Sequence, residues 1–144
     1  MISIESKTAV SNGLCSKDVN ERLEQEGYPM NDDQNPSYRT VYTPYSDHDW
    51  REVATHADAM RWLRNIHHIS IDVVTCWESR ESGGRVFSDE VTGYSFIVHL
   101  TDYHQIGDDQ RCVTHLIEHD EKQEWETFEE CCDEALRYVL TNMI

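Results

Sequence analysis

Three observations predict an α+β fold for this chain: two strongly one-sided helical stretches, a run of alternating segments between them, and short links joining those segments. The expected architecture is a three-stranded antiparallel meander with two amphipathic helices packed on one face, plus a short N-terminal helix. The clearest periodic signal is the stretch TFEECCDEALRYVLTNMI, residues 127–144. Phe128, Cys131, Cys132, Ala135, Leu136, Val139, Leu140 and Met143 recur there at i, i+3, i+4, i+7 spacing, which makes one apolar stripe. Thr127 is the expected N-cap with Glu130 as capping-box partner, and Glu129, Glu130, Asp133 and Glu134 put negative charge where the helix N-terminus favours it.

Taken in order, residues 1–15 lack periodicity and read as a flexible or loosely docked arm, leaving 16–144 as a single domain. Ser16 is placed to cap a short helix through Glu26, with Val19 and Leu23 as a thin inward face and Gly27 as its left-handed stop. Residues 28–50 carry Pro29, Pro36 and Pro44 among Tyr28, Tyr38, Tyr42, Tyr45 and Trp50. They read as a long aromatic-rich loop with one short strand at 38–43. Such a loop is either a binding surface, because Tyr offers wide contact at low rotamer cost, or a strap covering a sheet edge.

A second helix is expected from Thr55 to Ile66 or His67, burying Ala59, Trp62, Leu63 and Ile66. Alternation then marks strands at 69–77, 94–101 and 112–118. Gly83-Gly84, Thr92-Gly93 and the 106–109 turn punctuate them, and Arg85, Val86 and Phe87 extend one hairpin strand. Links this short between consecutive strands imply antiparallel pairing.

Charge is the strongest compositional feature, with 28 Asp+Glu against 12 Lys+Arg and a formal net charge of -16. Nine acidic residues and one lysine occupy the seventeen positions 118–134. Phosphate backbones need clustered Lys and Arg, so direct nucleic-acid binding is not expected, nor is binding to anionic membranes. A basic protein surface is the partner such a charge attracts. The bland alternative is that acidity only keeps a small domain soluble. No run of 18 apolar residues and no charged-then-apolar leader is visible, so a soluble cytoplasmic protein is expected. Five cysteines at irregular spacing read as reduced thiols.

The segments ATHADAMRWLRNIHHISI and TFEECCDEALRYVLTNMI resemble parts of small proteins of unknown function encoded by bacteriophages and prophages of gut bacteria. Leu23, Glu24, Glu26, Gly27 and Tyr28 match a first piece of that pattern, Trp62, Leu63, Arg64 and His67 a second, and Tyr138, Leu140, Asn142, Met143 and Ile144 a tail. The resemblance covers about half the chain. It implies an origin and an architecture, and it carries over no catalytic residue.

Candidate chemistry is sparse. Cys131-Cys132 near a helix N-terminus is the setting for a lowered thiol pKa, yet both lie on the apolar stripe and read as packing. Cys112, His115 and His119 are metal-ligating types, but four residues of strand separate the histidines by about 13 Å. Zinc ligands must converge to about 2.0–2.3 Å of one point. His67-His68 suit a helix C-terminus, and Asp47-His48-Asp49 reads as a solvated acidic turn. No nucleophile, phosphate-loop or dinucleotide motif occurs, so no catalytic residue, cofactor or metal is assigned. The leading expectation is a small acidic accessory protein that binds a basic protein partner through Glu118, Glu121, Glu124, Glu126, Glu129 and Glu130. Its sharpest form inhibits a host nucleic-acid-binding defence protein by mimicking phosphate charge. The rivals are a metal-dependent protein or small enzyme using the His and Cys of the meander, and a self-assembling structural module, for which a homo-oligomer is expected.

Overall fold

The computed structural model describes residues 2–30, 37–106, 109–118 and 124–144, with backbone alone at 79–82, 85–89, 102–106 and 109–118. At the N-terminus, a 3-10 turn at Ile4–Ser6 leads into helix α1 (Lys7–Ser11) and then α2 (Lys17–Gln25). Residues 4–15 are docked, in contrast to the arm expected from the sequence. Ala9, Val10, Leu14 and Cys15 are buried. The backbone of this segment bonds to the stretch before the next long helix, through Cys15 N–H to Ala54 O at 2.9 Å and His56 N–H to Gly13 O at 2.8 Å. A five-residue helix is too short to show a period, and that is why pattern reading misses it.

Helix α2 starts at Ser16 and is followed by Gly27 at φ +99, as expected, but it is no peripheral element. Val19, Asn20 and Leu23 are all buried. Asn20 is bound twice to the neighbouring strand, donating to Glu52 O at 3.1 Å and accepting from Ala54 N–H at 2.9 Å. Ser16 caps without its side chain, whose hydroxyl instead donates to Asp18 at 2.9 Å.

The aromatic-rich segment holds a β-hairpin, β1 (Thr40–Ser46) and β2 (Asp49–Ala54), paired antiparallel from Thr40 opposite Ala54 to Ser46 opposite Asp49. The sequence places one short strand here, at 38–43, and the structure adds its partner, which the loop signals of the three prolines obscure. Pro44 stands opposite Trp50 beside the register shift, a position where a strand tolerates the missing donor. Tyr45 and Val53 face inward, and the Tyr45 hydroxyl donates to Cys15 O at 2.6 Å.

Helix α3 (His56–His67) begins as expected, with Thr55 Oγ1 accepting from Asp58 N–H at 3.1 Å. It ends on His68 in the left-handed conformation at φ 59. Its buried face is His56, Ala59, Trp62 and Leu63, while Ile66 in the last turn stays exposed. His68 is the hinge of this exit, since its carbonyl accepts from Thr101 N–H at 2.9 Å and ties the helix end to the sheet.

Strands β3 (Ile69–Ser82), β4 (Arg85–Ile106) and β5 (Asp109–Glu118) pair antiparallel in that order. The class is thus α+β, but the sheet content is not the single meander expected, because the β1–β2 hairpin forms a second, separate sheet. The strands also run well past the expected bounds. Segment 79–89 is a hairpin continuation, turned by Gly83 and Gly84 at φ +65 and +77, the double positive φ of a type I′ turn. Thr92-Gly93 does not interrupt β4, for Gly93 pairs with Cys76 at a register shift. Ile71 stands opposite Val98 and Val73 opposite Phe96, which builds the apolar face that α3 packs on.

Helix α4 (Phe128–Asn142) starts where the sequence places it, Thr127 Oγ1 accepting from Glu130 N–H at 3.1 Å. Cys131, Cys132, Ala135, Leu136, Val139 and Leu140 are buried against the sheet, α2 and α3. Phe128 is half exposed, its ring edge-on to Tyr94 at 6.0 Å. A fully buried acid, Asp133, shares the inward side. Its Oδ1 accepts from Ser16 N–H at 2.8 Å and from His56 Nε2 at 3.1 Å, and its Oδ2 from Arg137 at 3.0 Å. Because a carboxylate only accepts, the His56 proton sits on Nε2. Removing one partner of such a buried ion pair strands the others in low dielectric. Asp133→Ala is therefore expected to cost about 3–5 kcal/mol of folding stability, read by urea unfolding. That matches or exceeds the 2–5 kcal/mol expected of Leu136→Ala in the same core, roughly speaking.

Candidate functional site

After β5 the acidic run returns to the sheet at 124–127. Trp125 makes a two-way backbone pair with Tyr94 of β4, at 2.8 and 2.9 Å, and its indole stacks on Phe96 at 5.4 Å between centroids and 26° between planes. Gly93 makes this approach feasible. A Cβ there would lie 2.8 Å from Trp125 O and 3.2 Å from the Glu124 Cβ, closer than real contacts allow. Anchored in this way, the strap presents Glu124 and Glu126 on either side of the buried-edge indole, both exposed.

Beside the strap lies an open cleft of about 260 Å³ lined by Phe96, Trp125, Glu134, Arg137, Tyr138 and Asn142 among others. Its floor is aromatic, with the Phe96 and Tyr138 rings 5.7 Å apart. Arg137 at its edge is gripped by Asp18 at 2.7 Å, Asp133 at 3.0 Å and Glu134 at 2.7 Å. Burial works against the guanidinium charge, but the Asp18 hydrogen bond and the charges of Asp133 and Glu134 outweigh it, and the Arg137 pKa rises. Asp18 responds in kind. Partial burial pushes its carboxyl up, yet the hydrogen bond and charge of Arg137 hold it below the usual carboxylate range. Three carboxylates around one guanidinium leave the rim net negative.

The six acidic residues expected to make contact are only partly drawn together. Glu124 and Glu126 are exposed on the strap, and Glu129 and Glu130 stand half-buried in the first turn of α4. Glu118 ends β5 opposite Ile97, and Glu121 lies outside the described residues. Among the described residues no Lys or Arg pairs with Glu124, Glu126, Glu129 or Glu130.

Other candidates resolve differently. Burial pushes the Cys131 and Cys132 thiols up to about 12, the direction opposite to activation. Cys15 is raised by burial and by the nearby Asp133 charge. Cys112 and His115 lie on β5 opposite Tyr103 and Leu100, and His119 falls outside the described residues. Among the described residues no group of three metal-ligating side chains converges. Asp49 is taken by Lys17 and Arg51, each at 2.8 Å, so the 47–49 turn is no free acidic cluster. The His67 ring packs edge-on against Trp62 at 4.8 Å. No described helix is long and apolar enough to cross a membrane.

Two residues of the site escape sequence reasoning. Asp133 looks like one more acid of the helix start, and only its i, i+4 relation to Arg137 hints otherwise. Trp125 sits inside a polar run with no periodic neighbour. With the fold and this geometry in view, comparison with protein-family models, curated proteins and solved structures finds no match for the chain.

Two measurements probe these assignments. With an alkylating reagent at neutral pH, Cys76, which is partly exposed, is expected to label before Cys15, Cys131 and Cys132, as read by mass spectrometry of the peptides. The depressed Asp18 pKa contributes stability above the ordinary carboxylate range, which is lost as pH falls through the folded-state value. Urea midpoints should therefore drop below about pH 4, and Asp18→Asn should flatten part of that drop.

Proposed function

We propose that this chain is a small, acidic, phage-derived accessory protein that acts by binding another protein through a basic surface on that partner. The observation that carries this reading is the strap. Glu124 and Glu126 flank an indole fixed to the sheet by two backbone hydrogen bonds, and among the described residues no cation offsets them. Charges held on a rigid support lose little entropy on binding, while a mobile acidic tail would lose much. The aromatic cleft alongside supplies the apolar contact that a purely electrostatic surface lacks, and Trp and Tyr are the residues that anchor interfaces best.

Glu129 and Glu130 extend the same acidic surface, and Glu118 and Glu121 belong to the same run of sequence. The net charge of -16 favours steering toward a cationic groove of the kind that grips nucleic acid. Inhibition of a host nucleic-acid-binding defence protein by charge mimicry is the specific form of this proposal, and the phage resemblance of residues 54–71 and 127–144 supports it.

The test is affinity capture from a bacterial host lysate. A partner is expected to be retained at about 0.1 M salt and released toward 1 M, where the screening length shrinks from about 10 to about 3 Å. Combined reversal of Glu124, Glu126, Glu129 and Glu130 to Lys should abolish capture without unfolding the protein. Recovery of no partner at low salt, or capture unchanged by the reversal, overturns the reading.

A further inference from the structure

The β1–β2 hairpin presents two faces of opposite character. Its inner face carries Tyr45 and Val53 into the core, and there Arg51 is held by Asp49 and Glu21. On the outer face, strand register brings Tyr42 opposite Glu52 and Pro44 opposite Trp50. Tyr42 and Trp50 are diagonal neighbours there, with ring centroids 5.6 Å apart and planes inclined at 37°. They are 63% and 53% exposed, among the most exposed aromatic side chains described. Glu52 lies beside them, its Oε2 accepting a hydrogen bond of 2.7 Å from the Thr40 hydroxyl. Among the described residues no Lys or Arg pairs with that carboxylate.

Two aromatic rings cost solvation when left in water, and a carboxylate without a cation attracts one. Set on one face of a strand pair, they match one chemical group. A guanidinium is planar and weakly hydrated, stacks on an aromatic face, and can direct an N–H fork at a neighbouring carboxylate. An ammonium is more strongly hydrated and cannot stack. We propose that the Tyr42–Glu52–Trp50 face is a recognition site for an arginine side chain of a partner polypeptide, with Pro44 as its flank. Charge complementarity favours this occupant, since the chain as a whole repels anionic ligands at -16. Arg51, next to Glu52 in the chain, is already engaged by Asp49 and Glu21 and does not compete. This site shares no residue with the acidic strap and does not depend on it.

Tryptophan indole N–H resonances make the test, because the chain has 4 tryptophans and two of them, Trp50 and Trp125, report on the two surfaces separately. A tetra-arginine peptide titrated into the protein is expected to shift the Trp50 resonance saturably, and a tetra-lysine peptide to do so more weakly. Tyr42→Ala should weaken the arginine titration about two- to five-fold, the worth of an exposed cation–π contact. Tyr42→Phe should leave it intact, and Glu52→Gln should weaken it again. The three variants are checked for folding by an unchanged Trp62 resonance. An unmoved Trp50 resonance, an equal response to both peptides, or a titration unaffected by Tyr42→Ala overturns the proposal. Movement of Trp125 alone would do so as well while leaving the strap reading in place.

Discussion

The structure turns on one buried carboxylate. Asp133 reaches across to three separate parts of the chain, taking hydrogen bonds from the Ser16 backbone, from His56 at the start of α3 and from Arg137 one turn further along α4. Each donor answers part of a desolvation cost that would otherwise forbid an acid in the core. The network then reaches the surface, because Arg137 also holds Asp18 and Glu134. In consequence α2, α3 and α4 meet at a defined rotation about their axes. An all-apolar stripe would allow each helix to slide, whereas hydrogen bonds of this kind fix a register.

That rotation is also what shapes the surface. With Cys131, Leu136 and Leu140 committed to the core, Glu134 and Tyr138 come to the edge of α4 and form one wall of the cleft. The strap forms another, and its place is set by Gly93, where β4 has no side chain to obstruct the crossing of residues 124 and 125. A polar cluster in the core and a missing methyl group in a strand together decide where charge is displayed.

Much of the fold was legible. Helices α3 and α4 announced themselves through Thr55 and Thr127 caps and through stripes that proved buried in all but Phe128, Met143 and Ile66. The three paired strands were legible in alternation, though not their full length, since beyond Trp77 only Arg85, Val86 and Phe87 suggest an extension and the polar Ser79–Ser82 carries no period. Of the β1–β2 hairpin only the first strand was legible, from the alternation at 38–43, while its partner Asp49–Ala54 was read as the end of a loop because of the turn signals at Pro36 and Pro44. The docked N-terminal segment was invisible for a different reason: Cys15 is joined to Ala54, and Gly13 to His56, by backbone bonds that no side-chain pattern encodes. At the candidate site, the acidity of 118–134 was plain from composition, while the pinning of Trp125 was not, because it depends on a contact with Tyr94 thirty positions away in the chain, in round terms.

The bond between Ser16 and Asp133 spans 117 residues. During synthesis the first part of the chain emerges with its Ser16 amide, His56 ring and Asp18 carboxylate all waiting for a helix not yet made. Until α4 leaves the ribosome, the early helices have apolar sides not yet covered by it and polar groups without the partners it brings. The contacts at Asp133 can therefore close only once α4 has been made, across a chain separation that makes them costly in loop entropy.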